Sequence, residues 1–162
     1  MANFAKLTPI DMGEDRNVFS AGKSDGANVK GASLSELFVA AASNGAGTPK
    51  YGVYFEMPER DDKYLLIVRN VDANSADPAH TAEALNVTIK GGNDKVFGGN
   101  DLVLTDLDPD DYSFVKLDSG RFKNVAENET LATLANVTSV KGCVVVEAEN
   151  AKLEFALIKM PF

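Results

Sequence analysis

From Lys50 to its end the chain is a succession of short apolar runs, each too brief for a stable isolated helix and each closed by residues that turn the backbone. The runs are YGVYFEM from Tyr51, KYLLIVRN from Lys63, LNVTIKG from Leu85, DLVLTDL from Asp101, YSFVKL from Tyr112, CVVVEAE from Cys143 and KLEFALIKM from Lys152. They are rich in Val, Ile, Leu, Phe and Tyr, the side chains that fit a pleated, half-buried surface. Between them stand Glu59-Arg60-Asp61-Asp62, Gly91-Gly92-Asn93-Asp94, Gly98-Gly99-Asn100-Asp101 and Asp108-Pro109-Asp110-Asp111. These favour tight turns through positive φ, Asx hydrogen bonding or the fixed φ of proline, and are expected to join antiparallel neighbours. The spacing predicts a mostly β chain, an antiparallel β-sandwich or barrel-like domain. In LEFALIKM the alternation is imperfect, as expected of a strand covered on both faces. The polar stretch from Val71 to Ala84 interrupts the pattern as a surface loop would.

Ahead of these runs the pattern is different. Residues 1–48 read as an extended N-terminal arm: Gly22, Gly26 and Gly31 break any periodicity, and Phe4, Leu7, Ile10, Val18 and Phe19 are scattered rather than spaced. Within the arm, Ser33 followed by Glu36 has the form of a capping box and leads into LSELFVAAAS, which ends at Asn44-Gly45. A short helix and a buried strand are both consistent with a run of this length. The expected division is therefore an arm over 1–48 and a β domain over 49–162.

Composition narrows the chemistry. A chain of 162 residues fits one domain, and a net charge of −8 opposes a phosphate backbone, so nucleic acid is not an expected partner. The only cysteine, Cys143, rules out an intrachain disulfide framework and a Cys-based zinc site, and suits a reducing cytosol. Neither a secretory leader nor a run of apolar residues long enough for a membrane helix is evident, so synthesis in cytoplasm and no membrane partner are expected. The N-x-T sequons at Asn86, Asn128 and Asn136 then read as asparagines at strand edges and turns.

No set of residues has the pattern of a catalytic or cofactor site. His80, the only histidine, lies in the polar loop beside Asp77-Pro78. Gly22-Lys23-Ser24 has the ending of a phosphate-binding loop, but Asn17 stands where its first glycine belongs. GGNDKVFGGND has glycines that could approach a phosphate, yet no helix follows and Asp94 and Asp101 repel the anion. Asp106, Asp108, Asp110 and Asp111 begin like a calcium loop, but Asp111 replaces the turn glycine and Leu117 the bidentate glutamate. The expectation is a protein that is not an enzyme, holds no metal or cofactor, and acts by attachment.

Taken in order, the Arg60-Asp61-Asp62-Lys63 turn into YLLIVRN, the NVTIKGG strand and turn, FGGNDLVL, LDSGRFK over Leu117 to Lys123 and the terminal KMPF resemble the small head decoration, or capsid cement, proteins of tailed bacteriophages. The resemblance spans residues 57–162. It implies a β-sandwich on the outer surface of an assembled capsid, commonly a homo-oligomer with a trimer favoured, that braces the major capsid protein lattice without catalysing anything. The longer N-terminal region and the Val71 to Ala84 insertion depart from the pattern. On this reading Phe4, Leu7 and Ile10, with Val18 and Phe19, would dock onto capsid protein by apolar burial or strand addition. Asp118, Arg121 and Lys123 would mediate contacts between copies. The alternatives are a tail or connector component of the virion, and a glycan-binding sandwich stacking sugars on Tyr51, Tyr54 or Tyr64.

Overall fold

The computed structural model describes residues 2–11, 37–59, 63–72 and 81–160. Val18, Phe19, the Gly22-Lys23-Ser24 tripeptide, the Ser33 and Glu36 pair, the Arg60-Asp61-Asp62 part of the first turn, His80 and the final Pro161-Phe162 lie outside the described residues.

The apolar runs all become strands. YGVYFEM forms β5 (Tyr51–Glu56), KYLLIVRN β6 (Lys63–Asn70), LNVTIKG β7 (Leu85–Ile89), DLVLTDL β8 (Leu102–Leu107), YSFVKL β9 (Tyr112–Asp118), CVVVEAE β10 (Cys143–Ala148) and KLEFALIKM β11 (Leu153–Lys159). They assemble as two sheets facing each other, not as a closed barrel. The first sheet runs β5-β10-β7-β8 and the second β11-β6-β9, with all of these pairs antiparallel. Alternation decides which side chains meet between them. Val53, Phe55, Val87, Ile89, Val144 and Val146 from one sheet meet Tyr64, Leu66, Val68, Leu117, Phe155 and Leu157 from the other in one buried cluster.

The turns do not act as the sequence suggests. Only the glycine-rich segment joins neighbours, β7 and β8, in the same sheet. The segment after β5 and the Asp108-to-Asp111 turn both carry the chain from the first sheet to the second. A turn motif fixes the reversal of the backbone, while the choice of sheet is set by which apolar faces can be buried together.

The outer face of the first sheet is covered by α2 (Glu129–Ala135), which the runs of apolar residues did not announce. Leu131 and Ala135, four positions apart, pack with Cys143, Val145 and Phe4. Two of the sequon asparagines bound this helix. Asn128 caps its start by accepting from the Leu131 N–H, and Asn136 ends it in the left-handed conformation at φ 54°. The Asn136 amide also donates to the carbonyls of Ala2 (2.8 Å) and Asn44 (3.1 Å), while Asn86 in β7 donates to Glu149 (3.0 Å).

The largest departure concerns residues 2–11 and 37–48. They are built into both sheets. β1 (Ala5–Lys6) pairs with β5 and β2 (Ile10–Asp11) with β11, each in parallel, so the chain crosses between sheets within a few residues. β3 (Val39–Ala40) pairs with β11 and β4 (Ala42–Ser43) with β5, crossing back the other way. The free edges of β5 and β11 are thereby filled. Leu7 and Ala41 sit at the two crossings, both in the central core. The Leu7 N–H donates to Tyr54 O (2.8 Å) and the Ala41 N–H to Leu153 O (2.9 Å). Of the helix and strand alternatives for LSELFVAAAS, its described part takes the strand form, on an edge rather than buried.

The burial bears on two residues of the docking role expected of the arm, Phe4 and Leu7. Phe4 and Leu7 are each 2% exposed, so their apolar surface is already buried in their own domain and offers no area to a partner. Ile10 is half-buried in β2 against Ile158. Leu7→Ala should therefore cost about 2–5 kcal/mol in urea unfolding, the range for a large-to-small change in a packed core. A freely extending arm would give no change.

Candidate functional site

The structure brings together the two segments that stood out in sequence, the glycine-rich β7–β8 loop and LDSGRFK. The latter forms the end of β9 and the short α1 (Ser119–Phe122). The junction is made backbone to backbone: the Arg121 carbonyl accepts from Gly92 N–H (2.8 Å) and Gly99 N–H (3.2 Å). Neither glycine pair adopts positive φ, so the reason for glycine is close approach rather than a left-handed turn. A Cβ on Gly91 would strike the Gly99 carbonyl oxygen, and one on Gly92 the Lys123 carbonyl oxygen.

The root of this loop is held by charge. Lys90 Nζ bridges Glu147 on β10 (3.0 Å) and Asp101 (3.2 Å), whose other oxygen accepts from Gly91 N–H (2.8 Å). Burial alone would lower the Lys90 ammonium and raise the Glu147 carboxyl. The hydrogen bonds and opposite charges, including those of Lys50, outweigh it, so Lys90 titrates above its ordinary range and Glu147 below.

The tip is equally defined. Asp94 Oδ1 accepts from the N–H groups of Val96 (2.7 Å) and Phe97 (3.0 Å), an Asx arrangement, and Gly98 N–H closes onto the Asp94 carbonyl (2.8 Å). Asn93 exchanges hydrogen bonds with the backbone of Ala126, fastening the loop to the connection between α1 and α2. The result projects two apolar side chains into solvent: Val96 is 78% exposed and Phe97 62%. Beside them lies a cleft of about 660 Å³ lined by Asp94, Phe97, Asp118, Ser119, Gly120, Lys123 and Val125, and Val125 is itself exposed.

Asp118, Arg121 and Lys123 all lie at this junction, but two of them are engaged within the fold. Asp118 caps α1 by accepting from Gly120 N–H (2.7 Å). Lys123 Nζ donates to the carbonyls of Met57 (3.0 Å) and Glu59 (2.7 Å), tying the end of β5 to the site. Asp118 and Arg121 are exposed and Lys123 is half-buried; the Arg121 guanidinium carbon lies 4.8 Å from the centre of the Phe122 ring. The tyrosines proposed as a sugar platform share no face. Tyr64 is buried in the core and Tyr51 packs against it, whereas Tyr54 lies on the opposite side of its sheet with the α2 cluster.

Sequence reasoning passed over Val96 and Phe97. Their signal was present: two apolar residues enclosed by glycine pairs and acids, where a solvated turn needs none. Among the described residues no group of three or more His, Cys, Asp or Glu side chains is placed to hold a metal ion, and the Asp106-to-Asp111 cluster forms the β8–β9 turn. The cleft offers a partner the apolar surface of Phe97 and Val125 beside the exposed carboxylate of Asp118, on a fixed frame. Compared with family models, with curated proteins and with solved structures, the chain has no match in any of the three.

Gly92→Ala should lower stability by about 1–3 kcal/mol, the usual cost of overpacking, because the new methyl meets backbone that cannot rotate away. Thermal unfolding measures it. The charge clamp predicts a pH window as well. Glu147, depressed in the folded state, contributes stability above the ordinary carboxylate range that is lost as pH falls through its folded value; Lys90, raised, contributes stability that is lost as pH rises through its own. In Glu147→Gln both flanks of the stability profile should flatten.

Proposed function

We propose that this chain is a structural protein of a tailed bacteriophage virion that binds the outer surface of the assembled capsid and stabilises the lattice of the major capsid protein. The observation that carries the reading is the Val96–Phe97 projection. An apolar pair this exposed gains nothing in the isolated chain, yet the Asp94 bonds, the glycine contacts and the Lys90 clamp all fix its position. A preorganised apolar projection loses little entropy on docking, and burying a Val or Phe side chain contributes about 1.5–3 kcal/mol.

The surrounding chemistry suits such a role. A net charge of −8 keeps particles apart in solution and opposes close contact with packaged nucleic acid. A protein that binds only the assembled lattice stabilises it by its binding free energy, and binding several subunits at once multiplies the effect. Of the segments that resemble decoration proteins, FGGNDLVL and LDSGRFK contribute to this junction. Attachment thus moves from the N-terminal arm to the β7–β8 loop.

Purified protein mixed with expanded, empty phage heads that lack it should give ordered density on the outer lattice by cryo-electron microscopy, with the β7–β8 loop against the shell. Phe97→Ser should weaken occupancy by about tenfold or more while leaving the thermal midpoint within the small range of surface substitutions. Bare heads would point instead to a tail or connector role. Occupancy indifferent to both Phe97→Ser and Val96→Asp would remove the loop from the interface.

A further inference from the structure

We propose that the Asn44–Gly45 step is a covalent modification site held in check by the fold, and that deamidation there undoes the join between β4, the N-terminus and the end of α2. It is the one Asn-Gly pair in the sequence. Such a pair is prone to cyclise, because glycine has no side chain to hinder approach of its backbone nitrogen to the asparagine amide carbon. The fold demands both residues. Gly45 has φ 72°, the left-handed region that favours glycine, and Asn44 is only 8% exposed.

Three parts of the chain meet on Asn44. Its Nδ2 donates to the Leu134 carbonyl in α2 (3.0 Å), and its Oδ1 accepts from the N–H groups of Ala46 (3.2 Å) and Lys50 (3.1 Å), which shape the β4–β5 connection. Its backbone carbonyl accepts from the Asn136 amide (3.1 Å), and that same amide holds the Ala2 carbonyl (2.8 Å). Ala2 also packs on Gly45, where an added Cβ would lie 3.1 Å from that of Ala2. A carboxamide can donate on one side and accept on the other; a carboxylate can only accept. The side chain that the join requires is therefore the one that can react.

In the reaction the Gly45 nitrogen bonds to Asn44 Cγ and the Cγ–Nδ2 bond breaks, with the Gly45 proton leaving on ammonia. Water then opens the cyclic imide. Opening at Cγ gives aspartate; opening at the main-chain carbonyl gives isoaspartate, which routes the backbone through the side chain and adds one carbon between β4 and β5. The two N–H groups on Oδ1 would steady the oxyanion of attack, so the check lies on the other two groups. Gly45 N–H donates to Ser43 Oγ (3.1 Å), which favours its keeping the proton, and the leaving nitrogen is tied to Leu134. After reaction an acceptor faces the Leu134 carbonyl, a buried mismatch that loosens α2 from β4.

The full chain incubated in mildly alkaline buffer, with and without unfolding urea, and followed by peptide mapping across Asn44 tests this without any capsid. Conversion to aspartate and isoaspartate should be about tenfold or more slower in the folded chain, the factor being set by how seldom the segment opens. Ser43→Ala should speed it in the folded chain, and Asn44→Asp, which installs one product directly, should lower the thermal midpoint by several degrees. Equal rates in folded and unfolded chains, or no acceleration by Ser43→Ala, would overturn the check that the fold places on the reaction. A thermal midpoint unmoved by Asn44→Asp would overturn its consequence.

Discussion

The sandwich depends on the closing of one side by the N-terminal segments. Two facing sheets bury their inner side chains but leave edges open, and an open edge exposes both backbone groups and the margin of the apolar layer. Here β1 and β4 share the edge of β5, and β2 and β3 share that of β11, with Leu7 and Ala41 filling the gaps where the chain crosses. The central core is therefore bounded by residues far from it in sequence. Phe4 extends the same device to the outer face, reaching the α2 cluster while its N–H donates to Ala135 O (3.0 Å).

With that side sealed, the opposite end is free to carry function. The β7–β8 loop is long, but it is not loose: Asp94, Asn93 and the glycine pairs bind it to α1 and to the connection beyond. Buried asparagines play the corresponding part elsewhere. Asn124 is fully buried, and both its N–H and its side-chain amide donate to the Cys143 carbonyl, holding the connection between α1 and α2 against β10. Asn70 donates to the carbonyls of Glu83 and Leu107 and so fixes the approach to β7. Polar groups in the interior thus satisfy loop backbone that no strand could pair.

The seven long strands were legible in sequence because each has enough residues to show β composition and a turn at its end. β1 to β4 were not, since two residues carry no periodicity and their pairing is decided by distant partners such as Val53 and Ile158. Scattered Phe4 and Leu7 therefore read as an arm when they are core. α2 was hidden for a related reason: ETLATLA buries only Leu131 and Ala135, and its clearest sign, Asn128 three residues ahead of Leu131, also fits a turn. LDSGRFK was singled out for contacts between copies, but its partner in space, the glycine loop, could not be known from spacing along the chain.

The placement of β2 also governs when the domain can be completed. Its partner β11 is the last of the described strands in chain order, so β2 must wait for every strand between them before its own pairing exists. Contacts of such long sequence separation make for slow folding, and a chain emerging from the ribosome holds Ile10 unpaired until β11 has been made. Lysates in which the C-terminal strand is clipped would therefore contain no smaller native domain, only chains unable to finish.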